Sequence, residues 1–358
     1  MMNLTRFSSP SQRRQRGFSL VELMVALVLG LLVIGGVGGV FLSQRELYRQ
    51  NENLARMQEN ARYAFEVMAR SLREAGGNLC GASKVANVLK DASSNWWSNW
   101  GEGIHGYEGD NNSFPKAFGT GRAERVSGTD AVVVWSGTLN EGLVITQHNP
   151  PSAQFKVNTT RHGLEDGDIV MACDNNDHAA IFQVTNANSS NVTIVHNTGA
   201  SVSPGNCSKY LGYPVPPNCG QPPGNPDPPS YTFENGGFIS KLAAYAWYIG
   251  YNGRGGRSLY RLKLQNNSGA AGGTAEEVAE GVSDLQIRYL TRDADGSLAT
   301  CYVDADSDCA GAKKKTDWAK VVAVRLAFTL QSLENVATGG GALQRTWNTV
   351  VTLRNRAP

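Results

Sequence analysis

The chain carries little charge, and over one long stretch it carries none. Asp, Glu, Lys and Arg make up 18% of its 358 residues, and no charged side chain occurs from Leu23 to Gln44. The segment up to Gly17 has no acid, only Arg6, Arg13, Arg14 and Arg16. No Cys-x-x-Cys pair occurs, which argues against zinc. There is no phosphate-binding loop and no dinucleotide fingerprint. The histidines, at 105, 148, 162, 178 and 196, show neither metal-ligand spacing nor a nucleophile partner. Cys173 and His178 could be forced into a pair, but a cysteine held in a disulfide is not a nucleophile. The pattern points to no enzyme and no cofactor.

The chain is organised around Arg13-Arg-Gln-Arg-Gly-Phe-Ser-Leu-Val-Glu-Leu and the apolar run that follows. About 20 apolar residues suffice to span a bilayer as a helix. An ordinary secretory signal has a core of about 7–15 residues and an Ala-x-Ala-like cleavage site; this core is longer and no such site follows it. The arginines before the run place the N-terminus in the cytoplasm and the rest of the chain on the far side. Glu22 is the anomaly. An ionised group inside a membrane is costly and usually has a partner, yet a plain single-pass anchor would need neither Glu22 nor the Gly17-Phe18 junction. Cutting between Gly17 and Phe18 would create an α-ammonium able to neutralise Glu22 on a neighbouring subunit.

Arg16, Gly17, Phe18, Ser19, Leu20, Val21 and Glu22 together resemble the class III leader of type IV prepilins. The resemblance implies cleavage after Gly17 by a prepilin peptidase, N-methylation of Phe18, and use of Glu22 in subunit assembly. The implied organisation is a leader over 1–17, a transmembrane half-helix over 18–44, an amphipathic half-helix over 45–76 and a periplasmic β-rich domain over 77–358. Removing the leader arginines takes the formal charge from +2 to −2, so the basic total is no argument for a nucleic-acid partner.

Cysteines stand at 80, 173, 207, 219, 301 and 309. An even count beyond a membrane segment suggests disulfides in an oxidising compartment, although six cysteines allow 15 connectivities. Proximity favours Cys207–Cys219 and Cys301–Cys309, with Cys80–Cys173 left by elimination; free thiols remain the alternative.

Beyond Arg45, Leu47, Leu54, Met57, Ala61, Ala64, Phe65, Met68 and Leu72 form a helical apolar stripe, and Gly76-Gly77 is a natural stop. Gly35, Gly36, Gly38 and Gly39 weaken the helix and read as sites of close packing and flexibility. Residues 78–128 show no clear period. Their Trp96, Trp97 and Trp100 read either as a partner patch or as aromatics covering the core. Short strands follow at Ala131–Trp135, Leu143–Thr146, Ile169–Cys173, Ala180–Thr185 and Val192–His196. Nine of the 14 prolines lie in 204–229, a segment that reads as a surface loop pinned by a disulfide. The spacing then predicts a hairpin of Leu242–Tyr251 and Ser258–Leu264 around Asn252-Gly-Arg-Gly-Gly. Alternating strands come next at Leu285–Tyr289, Val322–Leu330 and Trp347–Leu353. The fold expected is α+β and type IV pilin-like, a long N-terminal helix packed on an antiparallel sheet domain with long loops.

Leu72-Arg-Glu-Ala-Gly, Gly167-Asp-Ile-Val, Phe182-Gln-Val-Thr, Ala246-Trp-Tyr-Ile, Ser258-Leu-Tyr-Arg, Glu280-Gly-Val-Ser-Asp-Leu-Gln-Ile-Arg-Tyr and the closing Trp347–Arg354 resemble, in this order, the PilW group of minor pilins. That resemblance implies an inner-membrane subunit that primes or caps a type IV pilus, with a place near the filament tip. Twitching motility, adhesion and DNA uptake would then depend on it indirectly. The implied partners are the major pilin and other minor pilins through the helix, the peptidase, and the inner-membrane platform. A type II secretion pseudopilin and a pilus-tip adhesin are the competing readings. Asp304, Asp306 and Asp308 begin like a calcium loop, but Cys309 and Lys315 stand where an EF-hand needs Gly and Glu.

Overall fold

The computed structural model describes residues 17–76, 81–138, 143–198, 201–219, 226–293, 295–337 and 339–356. By contacts the chain forms two compact units, Met1–Asn53 and Leu54–Pro358. One helix, α1 (Leu20–Glu74), contributes to both.

Within the second unit α1 buries Met57, Ala61, Ala64, Met68 and Leu72, which sit three or four positions apart on one face. The Asn60 side-chain amide donates to the Glu280 carbonyl at 3.0 Å. The helix ends two residues after its last buried leucine, Leu72. Gly76 takes a left-handed φ of +70°, a conformation that costs a residue with a Cβ, and its N–H donates to the Trp135 carbonyl at 3.1 Å.

Fifteen strands follow. They are β1 (Lys84–Asn87), β2 (Ile104–Tyr107), β3 (Ala131–Thr138), β4 (Ile145–Asn149), β5 (Gln154–Val157), β6 (Ile169–Cys173), β7 (His178–Gln183), β8 (Asn186–Ala187) and β9 (Thr193–Val195), then β10 (Phe238–Tyr251), β11 (Arg257–Asn267), β12 (Ala270–Glu280), β13 (Val282–Thr291), β14 (Val321–Gln331) and β15 (Gln344–Thr352). They form three sheets. The largest has eight strands, with the path β1-β7-β6-β10-β11-β12 and with β2 and β3 branching from β10. The others are β13-β14-β15 and β4-β5-β9-β8. The architecture is α+β, but the single antiparallel sheet expected from sequence is three sheets, and β1 pairs with β7 in parallel.

The period-2 alternation of strands explains where the cores lie. Val132, Val134, Trp247, Ile249 and Leu259 point from the large sheet toward α1 and toward Leu285, Ile287, Val324, Leu326 and Phe328 of the three-stranded sheet. Their neighbours Val133, Trp135, Ala246, Tyr248 and Tyr260 point the other way into a second core. Trp97 is buried in that second core and Trp96 and Trp100 pack against it. Of the two readings of these tryptophans, the structure supports the covering of the core.

A third core lies where Val170, Ala172, Ala180 and Phe182 meet Ile145, Phe155, Val157 and Ile194 of the four-stranded sheet. The opening of the Pro-rich segment belongs to it. Asn206, Cys207, Ser208 and Leu211 are buried, so the opening of the loop pinned by Cys207–Cys219 is part of the core and not of the surface. The cause is a polar anchor. Gln183 donates through Nε2 to the carbonyls of Gly167 and Ser203, and its Oε1 accepts from the Gly205 N–H. Asn206 accepts from the Gln183 N–H and donates back to the Gln183 carbonyl, each at 2.7 Å. Buried backbone groups need such partners, and here two amide side chains supply them.

The same core holds a histidine pair that no sequence spacing announced. His148 and His196 are 48 residues apart, yet their Nε2 atoms lie 3.2 Å apart and both rings are buried. His148 Nδ1 accepts the Phe233 N–H at 3.1 Å, so His148 carries its proton on Nε2 and donates it to His196. The ring also stacks on Phe155, with centroids 3.9 Å apart. Burial pushes His148 down to about 3 and His196 well below the ordinary histidine range. Both are therefore neutral when folded. Below about pH 6.5 the unfolded chain gains protons that the folded chain refuses, and stability falls until the folded pKa is reached, at about 1.4 kcal/mol per pH unit and histidine. Asp130, raised to about 7 by burial, acts with the opposite sign between about pH 7 and 3.8. The pair's share is therefore read by difference. Between pH 7 and 4.5, His148→Gln loses about 2–3 kcal/mol less unfolding free energy than wild type. Equal losses in denaturant titrations of the two proteins would refute the assignment.

Candidate functional site

The stretch singled out in the sequence begins the described chain. Gly17 and Phe18 are exposed and precede the helix; Phe18 retains 89% of its accessible surface. Among the described residues a Cβ built on Gly17 meets no atom within 4 Å, so nothing in their packing requires glycine there. Arg13, Arg14 and Arg16 lie outside the described residues.

Ser19 is the N-cap of α1. Its carbonyl accepts the Leu23 N–H at 3.1 Å, the first intrahelical bond. The Ser19 N–H and the Ser19 hydroxyl both donate to Glu22 Oε2, at 3.0 and 3.2 Å. The Glu22 N–H donates in return to Ser19 Oγ at 3.2 Å. This is a reciprocal capping box, and an acid in the first turn also suits the positive end of the helix. Sequence reasoning singled out Glu22 and missed Ser19. The signal was present, as Ser-x-x-Glu directly before an apolar run.

Beyond the cap, the apolar side chains from Leu20 to Leu42 are all exposed. The segment contains an 18-residue window of mean hydropathy 2.6, long and apolar enough to cross a membrane. The helix runs unbroken through Gly35, Gly36, Gly38 and Gly39, and a Cβ at any of them would meet nothing within 4 Å. Each costs about 1 kcal/mol of helix stability relative to Ala, with no compensation inside the chain.

Elsewhere the predicted positions separate. Cys207–Cys219 and Cys301–Cys309 are disulfides with Cα atoms 5.4 and 5.9 Å apart. Cys80 lies outside the described residues, and the expected Cys80–Cys173 pair with it. His178 is not set against a nucleophile; its Nε2 lies 2.9 Å from the Leu211 carbonyl. The three aspartates of the calcium-like run do not converge. Asp304 accepts from Arg288 Nε at 2.7 Å, Asp306 from the Thr316 N–H at 3.0 Å, and Asp308 from the Ala310 and Ala312 N–H groups at 2.9 Å each. Among the described residues no group of three or more His, Cys, Asp or Glu side chains could hold a metal ion.

Comparison with known families bears on both ends of the chain. Residues 12–38 match the family described as prokaryotic N-terminal methylation motif. Residues 246–355, from the middle of β10 through β15, match the family described as type IV pilus-assembly protein W. These matches support a type IV pilus minor pilin of the PilW group. They fit a structural component of the pilus, and they suggest interaction with other pilus components. For such a pilin, the prepilin-like leader and the long apolar helix suggest membrane anchoring. Searches among curated proteins and among solved structures found no match.

Proposed function

We propose that this protein is a minor pilin that primes or caps type IV pilus assembly after cleavage between Gly17 and Phe18. The observation that carries the reading is the junction itself. An exposed Gly-Phe bond opens directly onto a capped helix whose first 25 residues bear one charge, Glu22. Leader removal would delete Arg13, Arg14 and Arg16, which hold the N-terminus at the cytoplasmic face. It would also create the Phe18 α-ammonium, a partner for Glu22 on an adjoining subunit; methylation of that amine keeps its charge. The uncharged helix surface with its glycines would then pack among other pilin helices. The domain from residue 77 on faces the periplasm in this reading, and twitching, adhesion and DNA uptake depend on the protein through the filament.

The test is mass spectrometry of pili sheared from cells unable to retract them, with Gly17→Ala as control. The expected result is traces of this chain beginning at methylated Phe18 in wild type, and an intact precursor in the variant. Because the described residues leave room for the added methyl, loss of cleavage reports recognition by the peptidase and not misfolding. Processed protein that stays in the membrane while pili are normal would overturn the pilus reading and favour a secretion pseudopilin.

A further inference from the structure

We infer that Ser19 is the positioning residue for the assembly carboxylate, an inference that rests on the role proposed above for Glu22. Two observations carry it. First, the Ser19 hydroxyl does more than cap. It accepts from the Glu22 N–H at 3.2 Å and also donates to Glu22 Oε2 at 3.2 Å, while the Ser19 N–H donates to the same oxygen at 3.0 Å. Second, the carboxylate so held lies beside the residue that cleavage turns into the chain's second, immediately after the new α-ammonium. No other group from residue 17 to residue 44 is ionisable.

Physically, a free glutamate at this depth has three side-chain torsions to order before it meets a cation. The hydroxyl and amide of Ser19 fix the carboxylate over the first turn and satisfy one of its oxygens. The charged form is thereby kept at lower cost in a poorly solvated place. Hydrogen bonds to an ionised group are stronger than neutral ones, and removing such a donor typically weakens the function it supports by about tenfold or more.

Capping and positioning are separable by substitution. Glycine at an N-cap costs only a few tenths of a kcal/mol relative to serine, but it has no hydroxyl to offer Glu22. Threonine retains both roles. With Ser19→Gly, the ratio of this chain in sheared filaments to processed chain in the membrane should fall about tenfold. Ser19→Thr should match wild type. A Ser19→Gly ratio equal to wild type would overturn the positioning role, because capping alone predicts almost no change. A Ser19→Thr ratio as low as that of Ser19→Gly would overturn it as well, since the hydroxyl would then be irrelevant. The N-terminal mass of each membrane form confirms that cleavage is unaffected. Failure of the underlying reading looks different: wild type itself would be absent from filaments.

Discussion

Glu22→Ala is cleaved normally and is absent from filaments. The substitution removes the only acid between Gly17 and Glu46. Membrane insertion does not suffer, because an ionisable residue costs up to about 3 kcal/mol there on insertion scales and alanine costs almost nothing. The loss falls on the assembled state. Without Glu22 the Phe18 ammonium enters an apolar helix bundle unpaired, and breaking a buried ion pair by removing one partner costs about 3–5 kcal/mol. That corresponds to a drop of at least about 100-fold in the filament-to-membrane ratio, well beyond the about tenfold effect expected for losing the Ser19 donor. Quantitative mass spectrometry of sheared pili and membranes measures it, and recovery of the variant at wild-type levels would remove Glu22 from assembly.

Arg125→Met should lower the stability of the second unit by about 3–5 kcal/mol, roughly 10 °C in melting temperature for a domain of this size. The Arg125 side chain is fully buried. Its Nη1 donates to the Asn111 carbonyl at 2.9 Å, and its Nη2 to the carbonyls of Glu108 and Thr129 at 2.8 Å each. The guanidinium also lies over the rings of Phe114 and Phe118, 4.9 and 4.7 Å from their centroids. Burial draws its pKa down to about 10 against the opposing pull of Asp130, Asp110 and Glu108. Asp130 in turn accepts the Ile287 N–H at 2.8 Å. The arginine thus satisfies the backbone of a segment with no regular structure, which methionine of similar length cannot do. Thermal melts of the full chain in detergent test this, and a shift under about 2 °C would show that water replaces the guanidinium at little cost.

These two sites differ in how far the sequence revealed them. The apolar half of α1, its stop and the hairpin around Asn252 were legible because each rests on local chemistry: a run of apolar residues, a glycine at a left-handed position, a Gly-rich turn. The β10–β11 hairpin predicted around Asn252 pairs Tyr245–Tyr251 with Arg257–Lys263. The strand β12 was not legible. Its Ala-Ala-Gly-Gly-Thr-Ala-Glu-Glu has weak β-propensity and no alternation. It is held at the sheet edge by its antiparallel ladder to β11, with Arg261 on Glu276 at 2.6 Å and Arg254 of the hairpin on Glu277 and on Glu280 added at the surface. The Arg125 cage and the His148–His196 pair were equally invisible, since each joins residues whose neighbours in sequence carry no trace of the partner. β1 and β2 are four residues each, too short to show a period.

The length of β10 has a consequence for how the globular unit fails. Its 14 residues pair with β6, β3 and β11 in turn, and its alternate side chains enter two cores while its first turn of ladder borders the third. Each of the three cores takes side chains from this strand, Trp247 and Ile249 in the first, Ala246 and Tyr248 in the second and Ile239 in the third, so loosening any of them disturbs the same element. The unit should behave as a single cooperative block, either whole or lost. Under the pilin role proposed above, damage anywhere around the sheet would remove a subunit outright instead of leaving a half-folded one in a filament.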